Sequence, residues 1–179
     1  MSTPETTALQ IDRPAPLEAS PATASPSYRR ILVPLDGSPL AEAALPSVSS
    51  LARPLGLEIA LLRVVPVIVP KVVEGRRQIV VDEGQRLAQE AEDYLRGVAD
   101  RLAADGFRVF TSVRSGDAAA EIIAGAGECQ ADLIGMTTHG RTGLRRLFFG
   151  SVAEAVLRRA SIPVFVVRET EAQAARRAA

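Results

Sequence analysis

The segment Ile31–Pro39 reads ILVPLDGSP, and within it a strand pattern changes to a helix start. Its first five residues form a continuous apolar run, which is typical of a short strand buried on both faces. Ser38 and Pro39 then fit the N-cap and the first position of a helix. The segment therefore predicts a strand followed directly by a helix, the repeating unit of an α/β fold.

The same alternation continues along the chain. Further strands are predicted at Glu58–Val65, Phe107–Val113, Leu133–Met136 and Val164–Val167. The helices predicted between the five strands contain Ala44–Leu51, Leu87–Leu102, Ala118–Ala126 and Val152–Ala160. Five strands alternating with four helices predict a doubly wound, Rossmann-like parallel sheet with strand order 3-2-1-4-5 and helices on both faces.

Local signals predict where two of these helices begin or end. Pro54 and Gly56 are expected to stop the first helix, because Pro lacks an N–H group and Gly tolerates the left-handed conformation that ends helices. Asp82 with Gln85 three positions later resembles a capping box, which predicts the start of the second helix.

The composition changes at both ends of the chain. Residues 1–27 contain five of the 12 Pro and follow neither a helical nor a strand period, which predicts a disordered arm. Residues 169–179 are rich in Ala and Arg and are expected to form a flexible tail. Residues 28–168 then make one α/β domain. Its stretch 66–81 is rich in Val and Ile, and the sequence leaves open whether it covers the sheet, flanks a pocket or meets a partner.

Charge and residue usage exclude several classes of function. The 21 Lys and Arg balance 21 Asp and Glu, so the net charge of 0 argues against a dedicated nucleic-acid binder. One cysteine, Cys129, and one histidine, His139, exclude an internal disulfide framework and a Cys/His zinc site. No apolar run approaches the ~20 residues that cross a bilayer. We expect a cytoplasmic protein without a membrane or nucleic-acid partner.

The connection between the fourth strand and the last helix predicts a phosphate site. It has about 13 residues and is rich in Gly and Arg, whereas such connections usually need about 2–6. Gly150 and Ser151 at the helix start would place free N–H groups and the positive end of the helix dipole together. Thr137, Thr142 and Ser151 add hydroxyl groups, and Arg141 adds positive charge.

Asp36 extends this prediction to a nucleotide site. Asp36 follows the first strand and Thr137 ends the fourth, and these strand ends are neighbours in the order 3-2-1-4-5. A carboxylate repels phosphate but suits a hydrogen bond to ribose or adenine, or a metal ion. Two structural explanations stay open: Asp36 as a turn residue that bonds nearby backbone, and Ser151 with Glu154 as a capping box.

Familiar nucleotide motifs are absent. No Gly-x-x-x-x-Gly-Lys-[Ser/Thr] occurs, and Gly125-Ala126-Gly127 lacks the third Gly of the dinucleotide fingerprint. The chain instead resembles the universal stress protein family over residues 28–168. The segments that carry the resemblance are Ile31–Ser38, Gly140–Gly143, Gly150–Glu154 and Ile162–Val167.

The nucleotide-binding branch of that family has the pattern Gly-x2-Gly-x9-Gly-[Ser/Thr]. Gly140, Gly150 and Ser151 fit the pattern, but Thr137 occupies the first Gly position. Thr137 adds a Cβ where the pattern lets backbone approach the ligand, while its hydroxyl could bond phosphate or ribose.

The resemblance implies a site for ATP or a related adenine nucleotide, with Mg²⁺ as a possible companion. AMP and cyclic nucleotides remain open. Arg141 is a candidate for added charge at the phosphates. By position, the adenine and ribose side would consist of Pro34, Asp36 and Val64, and the ribose and phosphate side of Met136, Thr137, Gly140, Gly150, Ser151 and Val152. The implied role is a nucleotide-dependent sensor or regulator in the stress response.

The resemblance also implies a homodimer, and the last strand supports one. Residues 163–168 would form an apolar edge strand, which aggregates unless it is covered. Pairing two copies of this strand across a two-fold axis would cover it. The alternative is that the Arg-rich tail folds back over the edge.

Two other functions stay open beside nucleotide sensing. One is a slow Mg-dependent ATPase, in which Asp36 acts with a metal ion and His139 assists the hydrolysis. The chain offers no complete phosphoryl-transfer set, so at most weak ATP hydrolysis is expected. The other is a dimeric interaction module that has lost nucleotide binding, as Thr137 would allow.

Overall fold

The computed structural model describes residues 28–68, 77–138 and 150–168. The predicted arm at 1–27, the tail at 169–179, part of the link at 69–76 and most of the Gly- and Arg-rich connection at 139–149 lie outside the described residues. The predictions made for these segments therefore stay predictions.

Five parallel strands form one sheet in the order β3-β2-β1-β4-β5, which confirms the predicted fold. Each predicted strand agrees with the structure to within two residues at either end. The strands are β1 (Arg30–Pro34), β2 (Glu58–Val65), β3 (Val109–Ser115), β4 (Leu133–Thr138) and β5 (Val164–Arg168). The described helices are α1 (Pro39–Glu42), α2 (Leu45–Leu55), α3 (Arg77–Ala104), α4 (Ala118–Glu128) and α5 (Ser151–Arg159).

Two apolar cores lie on opposite faces of the sheet. In β1, Ile31 and Val33 enter the core beside α2 and α3, and Leu32 enters the core beside α4 and α5. All three side chains are buried. Because successive side chains of a strand point to opposite faces, a strand between two helical layers must be apolar at every position. This explains why the run that opens the domain is continuous.

The first predicted helix is two helices in the structure. The four-residue α1 is followed by α2, which passes through Pro54 and ends at Leu55. Gly56 is left-handed, with φ of 64°, and the N–H of Leu57 bonds to the carbonyl of Ala52. The expectation that Pro54 helps to stop the helix is therefore wrong, because the glycine cap ends it one residue later.

The start predicted for the long helix at Asp82 is also wrong. α3 begins at Arg77, so Asp82 lies inside the helix, where a side-chain cap has no function. The link after β2 is correspondingly shorter than predicted and ends at residue 76. No helix in the described ranges is long and apolar enough to cross a membrane.

Gly135 in β4 allows a close approach between the sheet and α2, and we expect Gly135→Ala to destabilise the fold. A Cβ at this position would lie 2.9 Å from Ile31 Cδ1 and 2.9 Å from Val48 Cγ2. Both neighbours are fully buried, so the added methyl overpacks the core at a cost of about 1–3 kcal/mol in the free energy of unfolding. Urea denaturation measures the change.

Gly97→Ala is the matched control for this substitution. Gly97 lies exposed in α3 with no atom within 4 Å of its added Cβ. Alanine favours helix over glycine, so stability should rise by ~0.5–1 kcal/mol. An unfolding midpoint of Gly135→Ala equal to that of the wild type would contradict the packing argument.

Candidate functional site

A pocket of about 170 Å³ lies at the carboxyl ends of β1 and β4. β1 pairs with β2 on one side and with β4 on the other, so the direction of winding reverses here. Open α/β sheets bind their ligands at this switch point. The pocket is lined by Pro34, Leu35, Asp36, Ser38, Leu40, Ala41, Leu62, Val64, Ala118, Ile122, Met136, Thr137, Ser151, Val152 and Ala153.

Seven of the ten predicted site residues line this one pocket: Pro34, Asp36, Val64, Met136, Thr137, Ser151 and Val152. Gly150 stands next to it as the N-cap of α5. Gly140 and Arg141 lie outside the described residues. Residues that are far apart in sequence thus meet at one place, on the ends of β1, β2 and β4 and at the start of α5.

The Asp36 carboxylate is held by its own turn. Its Oδ1 accepts a hydrogen bond from the N–H of Ser38 at 2.8 Å, and Ser38 Oγ accepts one from the N–H of Ala41 at 3.1 Å as the cap of α1. The predicted role of Asp36 as a turn residue that bonds nearby backbone therefore applies to one of its two carboxylate oxygens. Oδ2 bonds to no described residue, so an exposed and oriented acceptor stands at the pocket rim.

The start of α5 carries no side-chain cap from the described residues. Gly150 is the N-cap and Ser151 is the first helical residue, while Glu154 pairs with Arg158. The predicted Ser151–Glu154 capping box is therefore wrong, because Ser151 lies one position too far into the helix to cap it. The first N–H groups of a helix have no partner within the helix, and Ser151, Val152 and Ala153 all line the pocket. The arrangement favours a negatively charged ligand group.

The remaining wall is apolar, and of its side chains Val64 was predicted whereas Leu62, Ala118 and Ile122 were not. Leu62 and Val64 extend from the same face of β2, and Ala118 and Ile122 extend from α4. Only the packing of α4 against β2 brings these side chains together. The available signal was the two-residue spacing of Leu62 and Val64, but it does not show which helix covers them.

A larger cleft, of about 890 Å³, lies at the opposite edge of the sheet, where the strands start. Its charged side chains form bonds within the protein. Glu58 pairs with Arg30 at 2.5 Å and with Arg108 at 2.7 Å, and the hydrogen bond from Arg30 is the main cause of the lowered pKa of Glu58. Asp132 accepts the N–H groups of Arg29 and Arg30. Helices end at this edge, where the negative end of the dipole disfavours anions. The smaller pocket is therefore the candidate site.

The described part of the chain contains no preformed metal centre. It has no group of three or more His, Cys, Asp or Glu side chains that could hold a metal ion. Among the described lining residues of the pocket, Asp36 is the one acidic side chain. A divalent cation here would need most of its ligands from a bound molecule.

Comparisons with known proteins agree with the fold. The model of the universal stress protein family matches residues 27–168. The chain is 33% identical to universal stress protein MJ0531 of Methanocaldococcus jannaschii over 144 residues, which cover 79% of this chain and 83% of that protein. The structure of MJ0577 from the same organism has a TM-score of 0.68 and 29% identity, covering 81% of this chain and 99% of that chain. A structure of a universal stress protein in complex with cAMP has a TM-score of 0.59 and 26% identity, covering 80% and 99%.

The missing capping box leads to a stability prediction for Ser151→Ala. Since the Ser151 side chain makes no capping bond, its removal should change the free energy of unfolding by less than about 0.5 kcal/mol. Asp117→Ala is the comparison, because Asp117 caps α4 by accepting the N–H of Ala120 at 2.9 Å. Losing that cap should cost about 1 kcal/mol. Equal losses in the two variants, measured by urea denaturation, would show that Ser151 does cap α5.

Proposed function

Because the chain belongs to the universal stress protein family, we propose that its switch-point pocket binds an adenine nucleotide, with ATP as the expected ligand. The protein would then act in the stress response as a nucleotide-dependent sensor or regulator. One observation carries the proposal: an apolar wall, an oriented carboxylate and a helix start without a described side-chain cap surround the same pocket. The cAMP complex of a similar protein supports an adenine nucleotide as the class of ligand.

Each part of the pocket has a counterpart in such a ligand. The adenine packs against the apolar side chains of Val64 and Ile122, and the ribose hydroxyls donate to Oδ2 of Asp36. The phosphates lie at the start of α5, where N–H groups and the helix dipole stabilise negative charge. Gly140 and Arg141 would add backbone donors and positive charge from the connection before α5.

The proposal holds with Thr137 at the first Gly position of the motif. Thr137 pairs with Val167 at the end of β4 and is half-buried in the pocket wall. A Cβ on this wall leaves less room for the ligand than a glycine would, and the Thr137 hydroxyl would offer the phosphate or the ribose a hydrogen bond that a glycine could not make. The described residues enclose less volume than the roughly 300–1,000 Å³ of most small-molecule sites. We therefore expect that one part of the nucleotide fills the described pocket and that the rest extends from it.

We propose binding rather than efficient hydrolysis. Asp36 is the one acidic group among the described lining residues, and its Oδ1 is already used by the turn. Phosphoryl transfer needs a base or a water-positioning group and several groups that neutralise charge. Mg²⁺, where it accompanies ATP, would be held mainly by the phosphates, with Asp36 as the nearest protein carboxylate.

We also propose a homodimer formed through the edge strand at 163–168. Among the described strands, β5 pairs with β4 alone, so its other edge has unpaired backbone groups. Val164, Phe165 and Val166 are only half-buried in the single chain. A second copy of β5 across a two-fold axis would pair these groups and bury these side chains.

The Asp36→Asn variant tests the nucleotide site. Asn keeps an oxygen for the Ser38 N–H but replaces the second oxygen by an NH₂ group, which cannot accept from ribose. Losing a hydrogen bond to a charged group costs about 1.5–3 kcal/mol, so the ATP dissociation constant should rise by about tenfold or more. Isothermal titration calorimetry measures it.

Asp132→Asn is the control for this experiment, since Asp132 lies at the opposite edge of the sheet and accepts backbone N–H groups there. Its ATP affinity should equal that of the wild type. The wild type itself should gain about 2.7 kcal/mol of stability at ATP concentrations 100 times the dissociation constant. The nucleotide proposal fails if neither calorimetry nor thermal unfolding detects ATP, AMP or cAMP binding, and the interaction-module alternative then takes its place.

The Val166→Lys variant tests the dimer. Val166 lies on β5 and belongs to neither buried core cluster, so lysine should place a charge in the proposed interface without emptying the core. Light scattering after size-exclusion chromatography should give a dimer for the wild type and a monomer for the variant. The control is Thr111→Lys. Thr111 lies on β3, the exposed outer strand on the side of the sheet away from β5, so this variant should remain dimeric. A monomeric wild type would contradict the proposal and favour residues 169–179 as the cover of the edge.

A further inference from the structure

A second group of side chains stands behind the Asp36 turn, on the α3 side of the sheet. Arg63 in β2 points its guanidinium at Gly37, the residue after Asp36. The position of a Cβ on Gly37 would lie 3.3 Å from each of Cζ, Nη1 and Nη2 of Arg63. Three equal distances mean that the guanidinium lays its flat face against the turn. Gly37 also has φ of 83°, a conformation that side chains other than glycine rarely adopt.

Tyr94 of α3 holds this guanidinium from the helix layer. The Cζ of Arg63 lies 5.0 Å from the centre of the Tyr94 ring, which is cation–π geometry. The Tyr94 hydroxyl donates to Glu42 Oε1 at 3.0 Å, and Glu42 Oε2 accepts from Arg101 at 2.9 Å. Burial, and then the hydrogen bond to Glu42, raise the pKa of Tyr94 above its ordinary range. The Tyr94 hydroxyl therefore keeps its proton, and its bond to Glu42, beyond the pH at which an ordinary tyrosine ionises.

Through these contacts α3 supports two segments of the pocket rim. The ring of Tyr94 acts through Arg63 on the Asp36–Ser38 turn, and its hydroxyl acts through Glu42 on α1. Leu40 and Ala41 of α1 line the pocket, as does Asp36. α1 has four residues, none of them buried, so it is far too short to be stable without tertiary contacts.

We propose that Arg63 and Tyr94 are positioning residues for the nucleotide pocket, which they serve by fixing the Asp36 turn and α1 against α3. The inference rests on the proposed nucleotide binding. Neither residue lines the pocket, so each acts by raising the population of the conformation that binds. When that population falls, the apparent dissociation constant rises by the same factor.

Arg63→Met tests the proposal, because Met keeps an unbranched apolar chain and removes the guanidinium. We expect the dissociation constants for both ATP and adenosine to rise about three- to tenfold, by calorimetry at a temperature where every variant is folded. Binding of both ligands should weaken equally, since a lower population of the binding conformation raises the dissociation constant of each by the same factor. Tyr94→Phe keeps the ring under Arg63 and loses only the bond to Glu42, so its effect should be about two- to threefold. Arg63→Lys, which cannot present a flat face, serves as the second variant if Arg63→Met does not fold.

Arg53→Met is the matched control. Arg53 stacks on Phe107 with Cζ 4.7 Å from the ring centre, at the opposite edge of the sheet. It should lose comparable stability and bind both ligands as the wild type does. The proposal is overturned if Arg63→Met and Arg63→Lys bind like the wild type, or if Arg53→Met weakens binding as much. A loss for ATP alone would also overturn it, because that result means direct contact with phosphate. A wild type that binds neither ligand would refute the proposed function itself, and this inference with it.

Discussion

The candidate site depends on one constraint, the double pairing of β1. β1 lies between β2 and β4 and is buried on both faces, so the chain leaves it toward one helical layer while the chain after β4 enters the other. α1 and α2 lie on one side of the sheet and α5 on the other. The starts of α1 and α5 therefore lie on opposite sides of the strand ends, and the pocket lies between them. Parallel pairing makes this pocket a consequence of the fold.

The same geometry separates the charges of the molecule. In a parallel α/β sheet the helices start at the edge where the strands end, so unpaired N–H groups and positive dipole ends collect around the pocket. The opposite edge collects helix ends and strand starts, and there Arg30 and Arg108 are paired with Glu58. A net charge of 0 thus hides two different ends of the sheet: one where helix starts favour an anionic ligand, and one where Glu58 is paired with Arg30 and Arg108.

The place of the pocket could be predicted because strand ends meet at the switch point of a doubly wound sheet. Asp36, Thr137 and Ser151 follow from that position, whereas the resemblance to the universal stress protein family supplied Pro34, Val64, Met136 and Val152. The errors were local: Asp82 and Gln85 match a capping box inside a helix, and Ser151 matches one a residue too late. A four-residue capping motif forms only if the helix begins at its first residue, and where the helix begins depends on packing. Leu40 and Ile122 carried no signal, since only the docking of α1 and α4 brings them to the pocket.

The sequence by itself determined the α/β class, because burial on two faces imposes a pattern on every residue of a central strand. Together with the predicted strand order, it also determined the group of strand ends that meet. Only the tertiary structure decided which polar atoms near these strand ends are free to bind a ligand. It placed one Asp36 oxygen in the turn and left the other exposed, and it left the α5 start without a cap from the described side chains. It also brought Arg63, Tyr94 and Glu42 together from β2, α3 and α1. Such contacts join residues separated by 31 to 52 positions, and no local pattern specifies a contact whose geometry is set by how a helix packs on a sheet.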